Sequence, residues 1–426
     1  MNVDPESRPS TATDTRAFKI FLTHATRRRY HRADGASWEV PVDRESFRKR
    51  LGETIREARR RLGMRQEDLA REAGFEHLQT VSDIERGQRE VHAYELVRIS
   101  AALGLQVADL LDGRLPPMPA VLWRNPPARE DRRRAEEARF LRFCREYRWL
   151  EEQLGALPGR ALPHYPLSQV SSFREAAGLG EKVAADLKLG NRPATSLARV
   201  LEEDFGVKLW YADLREGSGA CTASQEFGYA VMLNRTEPPW RRNFSLAHEL
   251  FHLLTLAGPV DAAPCGPARD VKSAEPFANA FAAALLLPGD QVCREIHGRV
   301  REGRLYRADI VSLARSYGVS TEALLWRMVS LGFLSEDRVR ELLDDPSFRQ
   351  LDRQERQRDW KEAPVRSERF ERLAVQAWLE GKISKARLAE LLDLPLRDVD
   401  GAIRRLGFPE QASDEESEPY VEVPAH

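Results

Sequence analysis

The 426-residue sequence has no long uncharged run: nowhere does one reach the ~18 residues that a membrane-spanning helix needs, so no transmembrane segment is expected. Cysteine is scarce and scattered. Cys144, Cys221, Cys265 and Cys293 form no CxxC pair, which argues against a disulfide framework and for free thiols in a reducing cytoplasm. An excess of charge is also lacking: the net charge is −1, so charge alone names no partner. The first residues, MNVDPESRPSTATD, contain no apolar stretch of signal-peptide type, and no repeat of solenoid length recurs. What remains is a chain with 42% apolar and 31% charged residues, the balance of a soluble globular protein. It is too long for one ordinary core, so roughly two to four domains are expected.

Composition divides it. Residues 1–42 read as a disordered start followed by a basic arm: positions 16–32 hold six Lys/Arg and no acid. Such a run is either a solvated face or a nucleic-acid contact. A helical domain is expected over 43–113. RLPPMPAVLWRNPP (114–127) reads as a proline-rich linker and 128–154 as a polar helix, so 114–169 is linker and helix. Residues 170–335 are mixed. LARVLEEDFG is a helix with a glycine stop, VKLWYADL and YAVMLN alternate as strands do, and two apolar helices follow. Residues 336–409 form a further helical unit, and the six acids and absent Lys/Arg of the end predict an acidic tail over 410–426.

Within the first helical domain, LGMRQEDLAREAGFEHLQTVSDIERG (62–87) has the rhythm of two helices and a turn. Leu69 and Ala70 face inward on the first helix, Gly74 permits the turn, and Val81 and Ile84 form the inner face of the second. Gln66, Leu78, Gln79, Thr80, Ser82 and Asp83 are then left at the first helix's start or on the second helix's outward side, where short polar side chains reach base edges in a major groove. The upstream stretch FRKRLGETIREARRRLGMR supplies cations for phosphates. Ile55, Arg59, Gln66, Leu69, Ala70, Ile84, Glu85, Gly87, Leu103, Gly104 and Leu110 together make this segment resemble the XRE family of helix-turn-helix domains. The resemblance implies an operator in double-stranded DNA, bound as a homodimer. Leu78 and Asp83 are atypical groove readers, and Asp83 repels phosphates.

FSLAHELFHLLT (244–255) carries the second motif. Residues four apart share one helix face, so His248 and His252 present their imidazoles together. Glu249, beside the first, is placed to reach a water held there. Catalytic zinc takes three protein ligands, and Glu275 opens a downstream helix whose Phe277, Ala278, Phe281 and Leu285 turn it toward the core. The bland alternative is a buried neutral histidine pair, but it leaves Glu249 buried without a partner, which is costly.

The pairing of NFSLAHELFHLL with EPFANAFAAALLLP resembles the ImmA/IrrE family of metallopeptidases over about residues 170–330. By position, that resemblance implies Zn2+ held by His248, His252 and Glu275, with Glu249 as the catalytic carboxylate. Phe251 departs from the family, which usually has glycine there; it either repacks the rear of the ligands or narrows the cleft. Asn279 either supports a ligand or bridges the two helices. Tyr229, Arg242 and Tyr306 are candidate oxyanion donors by type, and none is singled out. The C-terminal segment RLAVQAWLEGKISKARLAELLDLPLRDVDGAIRRLGF is a second DNA-binding unit or a packing or dimerisation unit, and Trp326, Trp360 and Trp378 are expected to fill cores.

The expected fold is therefore mainly α with a small β-sheet (α+β): an all-α helix-turn-helix bundle, a zincin-like metallopeptidase core, and C-terminal helical, helix-turn-helix-like units. The expected function is a cytoplasmic, DNA-binding transcriptional regulator whose zinc-dependent endopeptidase domain cleaves a protein such as a repressor in a stress or mobile-element response. The competing readings are a non-proteolytic, zinc-containing regulator and an antitoxin-like effector sensor.

Overall fold

The structure is a computed structural model, described here for residues 43–115, 119–255, 268–358 and 363–408. The basic arm, the acidic tail, Cys265 and Trp360 lie outside the described residues. Among those described there are eighteen α-helices and one four-stranded sheet. None of the helices is long and apolar enough to cross a membrane. The chain divides into two compact units at Pro116/Pro117.

The first unit is a five-helix bundle: α1 (Arg44–Arg61), α2 (Gln66–Glu72), α3 (Leu78–Glu85), α4 (Ala93–Leu103) and α5 (Val107–Asp112). Asp43 caps α1 by accepting from the amides of Glu45 and Ser46. Ile55, Leu69, Val81, Ile84, Ile99 and Leu103 are almost wholly buried in its core. Gly52 lets α1 and α3 meet backbone to backbone, since a Cβ there would lie 2.2 Å from the carbonyl oxygen of Ile84. Gly74, at φ +64°, makes the turn between α2 and α3.

The second unit is built on the strands β1 (Leu122–Arg124), β2 (Lys208–Ala212), β3 (Gly219–Ser224) and β4 (Gly228–Asn234), in the order β1-β3-β4-β2. The β1–β3 and β3–β4 pairs are antiparallel and β4–β2 is parallel. Both faces are covered. Tyr229, Val231 and Leu233 of β4 enter one core, while Ala230 and Met232 enter the other. The first core is shared with α7 (Phe173–Asp186), α8 (Pro193–Glu203), α9 (Pro239–Thr255) and α10 (Ala268–Leu286). It continues through α11 (Gly289–Arg299), α12 (Arg307–Ser316) and α13 (Thr321–Ser330) into α14 (Glu336–Asp344) and α15 (Pro346–Arg358). The second core is covered by α6 (Glu130–Gln153), α16 (Glu368–Leu379), α17 (Lys385–Leu392) and α18 (Val399–Arg405).

Two expectations change. Residues 122–124 belong to the stretch read as linker, yet they form an edge strand, because β3 offers them a ladder that the sequence does not announce. Trp326 does not fill a core: it is 38% exposed on α13, whose buried face is formed by Leu324, Leu325 and Met328.

Candidate metal centre and nucleic-acid interface

Helix α9 starts just beyond the turn at Arg235 and Thr236 and is buried along its whole second half, from Ser245 to Thr255. Its helical spacing brings His248 Nε2 and His252 Nε2 to 3.2 Å of each other. From α10, Glu275 places one carboxylate oxygen 3.2 Å from His248 Nε2 and the other 3.3 Å from His252 Nε2. Ligand atoms of all three residues lie within 4.8 Å of one another. Asn279, one turn beyond Glu275, bonds its Oδ1 to His248 Nδ1 at 3.0 Å. That bond makes Nδ1 the protonated nitrogen and leaves the Nε2 lone pair toward Glu275 and His252. Two imidazole nitrogens and a carboxylate turned toward one point are the donor set of a divalent transition metal. The burial of His248 and His252 therefore fits a metal better than solvent. Among the described residues no other group of three such side chains meets.

Glu249 lies between the two histidines' helix face and strand β3, within electrostatic reach of both His248 and His252 and beside Gly219. It is 1% exposed, and its Oε1 has no hydrogen-bond partner among the described residues. Burial pushes its carboxyl above the ordinary range; His252, His248, the thiol of Cys221 and Arg124 pull it partly back. Burial also acts on Glu275, but there its contacts with His248 and His252 outweigh it and hold the carboxyl well below the usual range. The two glutamates thus differ in environment: Glu275 is half-buried against the histidines, and Glu249 is fully buried with one oxygen lacking a partner among the described residues. Gly219 of β3 leaves the space beside that oxygen open, since a Cβ there would lie 3.4 Å from Glu249 Oε1.

Phe251 is fully buried behind the ligands, against the Phe281 ring at 5.4 Å, so it repacks the rear of the site and does not narrow a cleft. Among the oxyanion candidates, Tyr229 is buried in the core and Tyr306 is 50% exposed at the start of α12. Arg242 donates to the carbonyls of Arg235 and Glu237. Nothing in the sequence pointed to Arg124, which reaches α9 from β1 and donates to Ser245 Oγ at 3.3 Å. Only the pairing of β1 with β3 brings it there.

In the first unit, Glu85 is 4% exposed and accepts from Arg59 Nε at 2.5 Å, Arg59 Nη2 at 3.0 Å and Gln66 Nε2 at 2.8 Å. Gln66 is thereby tied to the core of the turn between α2 and α3. Leu78 is 52% exposed at the start of α3, Gln79 is exposed beside it, and Thr80 and Ser82 are half-buried. Gln79 donates to Asp83 at 2.9 Å and Arg86 donates to the same oxygen at 2.7 Å. Those two bonds, Arg86 first, hold the Asp83 carboxyl below its ordinary range and offset the charge that repels phosphate. Arg56, Arg60 and Arg86 join Gln66 and Ser82 around an open hollow of about 440 Å³.

A helix-turn-helix bundle followed by a half with a His-Glu-x-x-His helix and a downstream glutamate defines a class: a DNA-binding regulator carrying a metallopeptidase-like domain. The family comparisons agree. Residues 55–110 match the helix-turn-helix family model and residues 202–328 match that of the IrrE N-terminal-like domain, a peptidase family. The control protein C.BamHI of Bacillus amyloliquefaciens is 44% identical over 63 residues, covering 15% of this chain and 76% of that protein. The chain belongs to the XRE-type helix-turn-helix regulators through its first unit, and residues 202–328 of its second match the IrrE N-terminal-like peptidase model.

Proposed function

We propose that this protein is a transcriptional regulator that binds an operator through residues 43–113, as a homodimer, and cleaves a protein substrate, a repressor of the XRE type, through residues 170–335. The observation that carries the reading is the division of labour on α9. His248 and His252 join Glu275, and Glu249 stands beside them with an unpartnered buried oxygen. A structural metal site has no use for that carboxylate. His248, His252 and Glu275 would hold Zn2+, which would supply Lewis acidity toward a scissile carbonyl and a bound water. Glu249 Oε1, buried and without a partner among the described residues, takes a proton from the attacking water and hands it to the leaving amine nitrogen. Asn279 keeps His248 in the tautomer that leaves Nε2 as acceptor. Gln79, Ser82, Thr80 and Leu78 lie on the face offered to bases, with Arg86 and Arg56 for phosphates.

The test incubates the zinc-loaded chain with a panel of XRE-type repressors and follows fragments by mass spectrometry. A discrete cut by the wild type, absent with His248→Ala, is the expected result. Intact repressors throughout, from a chain holding a full equivalent of zinc, would contradict the reading.

A further inference from the structure

Strand β1 lies before the segment that matches the peptidase family, yet it occupies the edge of the sheet next to the candidate base. Its register pairs Leu122 with Cys221, Trp123 with Ala220 and Arg124 with Gly219. Gly219 is the residue whose missing side chain leaves room beside Glu249 Oε1, and the amide of Ser218 donates to the carbonyl of Arg124 at 3.3 Å. An extended backbone therefore already lies antiparallel along β3, ending at Glu249. It is held lightly. It is three residues long, and Leu122, Trp123 and Arg124 are each only half-buried, whereas β4 is buried along nearly its whole length. Prolines bracket it, at 116, 117 and 119 before and 126 and 127 after, so it cannot lengthen. Three side-chain bonds fasten it: Trp123 Nε1 to Glu137 at 2.8 Å, Thr222 Oγ1 to the Ala120 carbonyl at 2.8 Å, and Arg124 Nη1 to Ser245 Oγ at 3.3 Å.

We propose that the edge of β3 is a binding site for an extended peptide strand, filled in the resting chain by Leu122–Arg124, and that an incoming protein segment gains access to Glu249 by displacing this strand. The recognition is β-augmentation: the ladder is main-chain and tolerates many sequences, while alternate side chains enter the two cores that Leu122 and Trp123 now touch. Arg124 is the latch, since its guanidinium joins the strand to the helix that bears the site. That the displacing segment is a substrate rests on the peptidase reading above; the strand site itself does not.

The probe is a fluorescein-labelled peptide of residues 119–127, PAVLWRNPP. The full chain carrying Trp123→Gly and Arg124→Gln is expected to bind it at least about tenfold more tightly than the wild type does. Bound peptide should restore hydrogen-exchange protection to the amides of 219–224. A loosened chain with native circular dichroism that ignores the peptide, or a wild type that binds it equally well, overturns the proposal. Should the double variant fail to fold, a protease site inserted in the loop 126–129 allows the folded wild-type strand to be cut at its exit. Saturating peptide should then release the N-terminal fragment on gel filtration, and retention of that fragment refutes strand exchange. Neither readout involves cleavage of a substrate. Strand exchange without repressor cleavage removes the peptidase reading alone, and repressor cleavage without strand exchange removes the strand site alone.

Discussion

Replacing Glu85 by alanine should come close to unfolding the DNA-binding unit. The carboxylate is 4% exposed and accepts three hydrogen bonds, two from Arg59, which is itself 8% exposed and also donates to the Met64 carbonyl at 2.6 Å. Truncation leaves a buried guanidinium with one partner lost and a half-buried Gln66 amide without its carboxylate partner. Breaking one side of such a pair costs about 3–5 kcal/mol, more than the pair's net worth, because the remaining charge stays desolvated. A unit of this size has on the order of 4–10 kcal/mol of stability in all. Loss of 3 kcal/mol corresponds to a fall in Tm of roughly 12–24 °C for a domain of this length. The assay is thermal unfolding of the full chain, with helix-turn-helix melting separated by comparing the transition with and without DNA. The pair Arg59→Met with Glu85→Leu removes both charges and should recover most of the loss, since a buried ion pair replaced by apolar groups of similar volume is close to neutral. A fall below about 1 kcal/mol for Glu85→Ala, or a double variant no better than the single one, would refute the reasoning that desolvation of Arg59 dominates.

Asn279→Ala should keep the metal ligands but weaken zinc binding about 10–100-fold, as loss of a support to a ligating histidine does; competition with a chromogenic chelator measures it, and unchanged affinity would reassign Asn279 to bridging α9 and α10. Glu202 is buried, and that burial raises its carboxyl to about 7 even though Tyr147 donates to it at 3.1 Å. Its folded-state affinity for a proton exceeds the unfolded one, so its stabilising contribution is full below the ordinary glutamate range and is lost as pH rises toward 7. Urea denaturation should show the chain losing roughly 3 kcal/mol from this group between about pH 4.5 and 7. Glu202→Gln should flatten that slope, and an identical slope in the variant would contradict the assignment.

How much of this was legible depended on whether the information was local. The ligand helix was, because i, i+4 spacing fixes which side chains share a face, and Phe277, Ala278 and Phe281 orient Glu275 by the same rule. The turn of α2 and α3 was also legible, from Gly74 and the inward Leu69 and Ile84. Strand β1 was not: LWR lies among prolines, and its partner, GACTAS, has almost none of the β-branched or aromatic residues that mark a strand. Arg124 was consequently invisible, since it approaches Glu249 only through pairing across about a hundred residues of sequence. The same limit applies to Gln66 and Asp83, whose long-range or one-turn bonds to Glu85, Gln79 and Arg86 exist only once the helices are packed.

The central claim is that Glu249 is a base and not a structural carboxylate. The most direct test compares the wild type with Glu249→Gln, which keeps size and shape but cannot accept the proton. The account predicts that the variant holds one equivalent of zinc, binds DNA as the wild type does, and cleaves the repressor at least ~100-fold more slowly, the scale of general-base catalysis. A variant with undiminished cleavage, or with an unaltered transcriptional response in cells where the wild type responds, would contradict it.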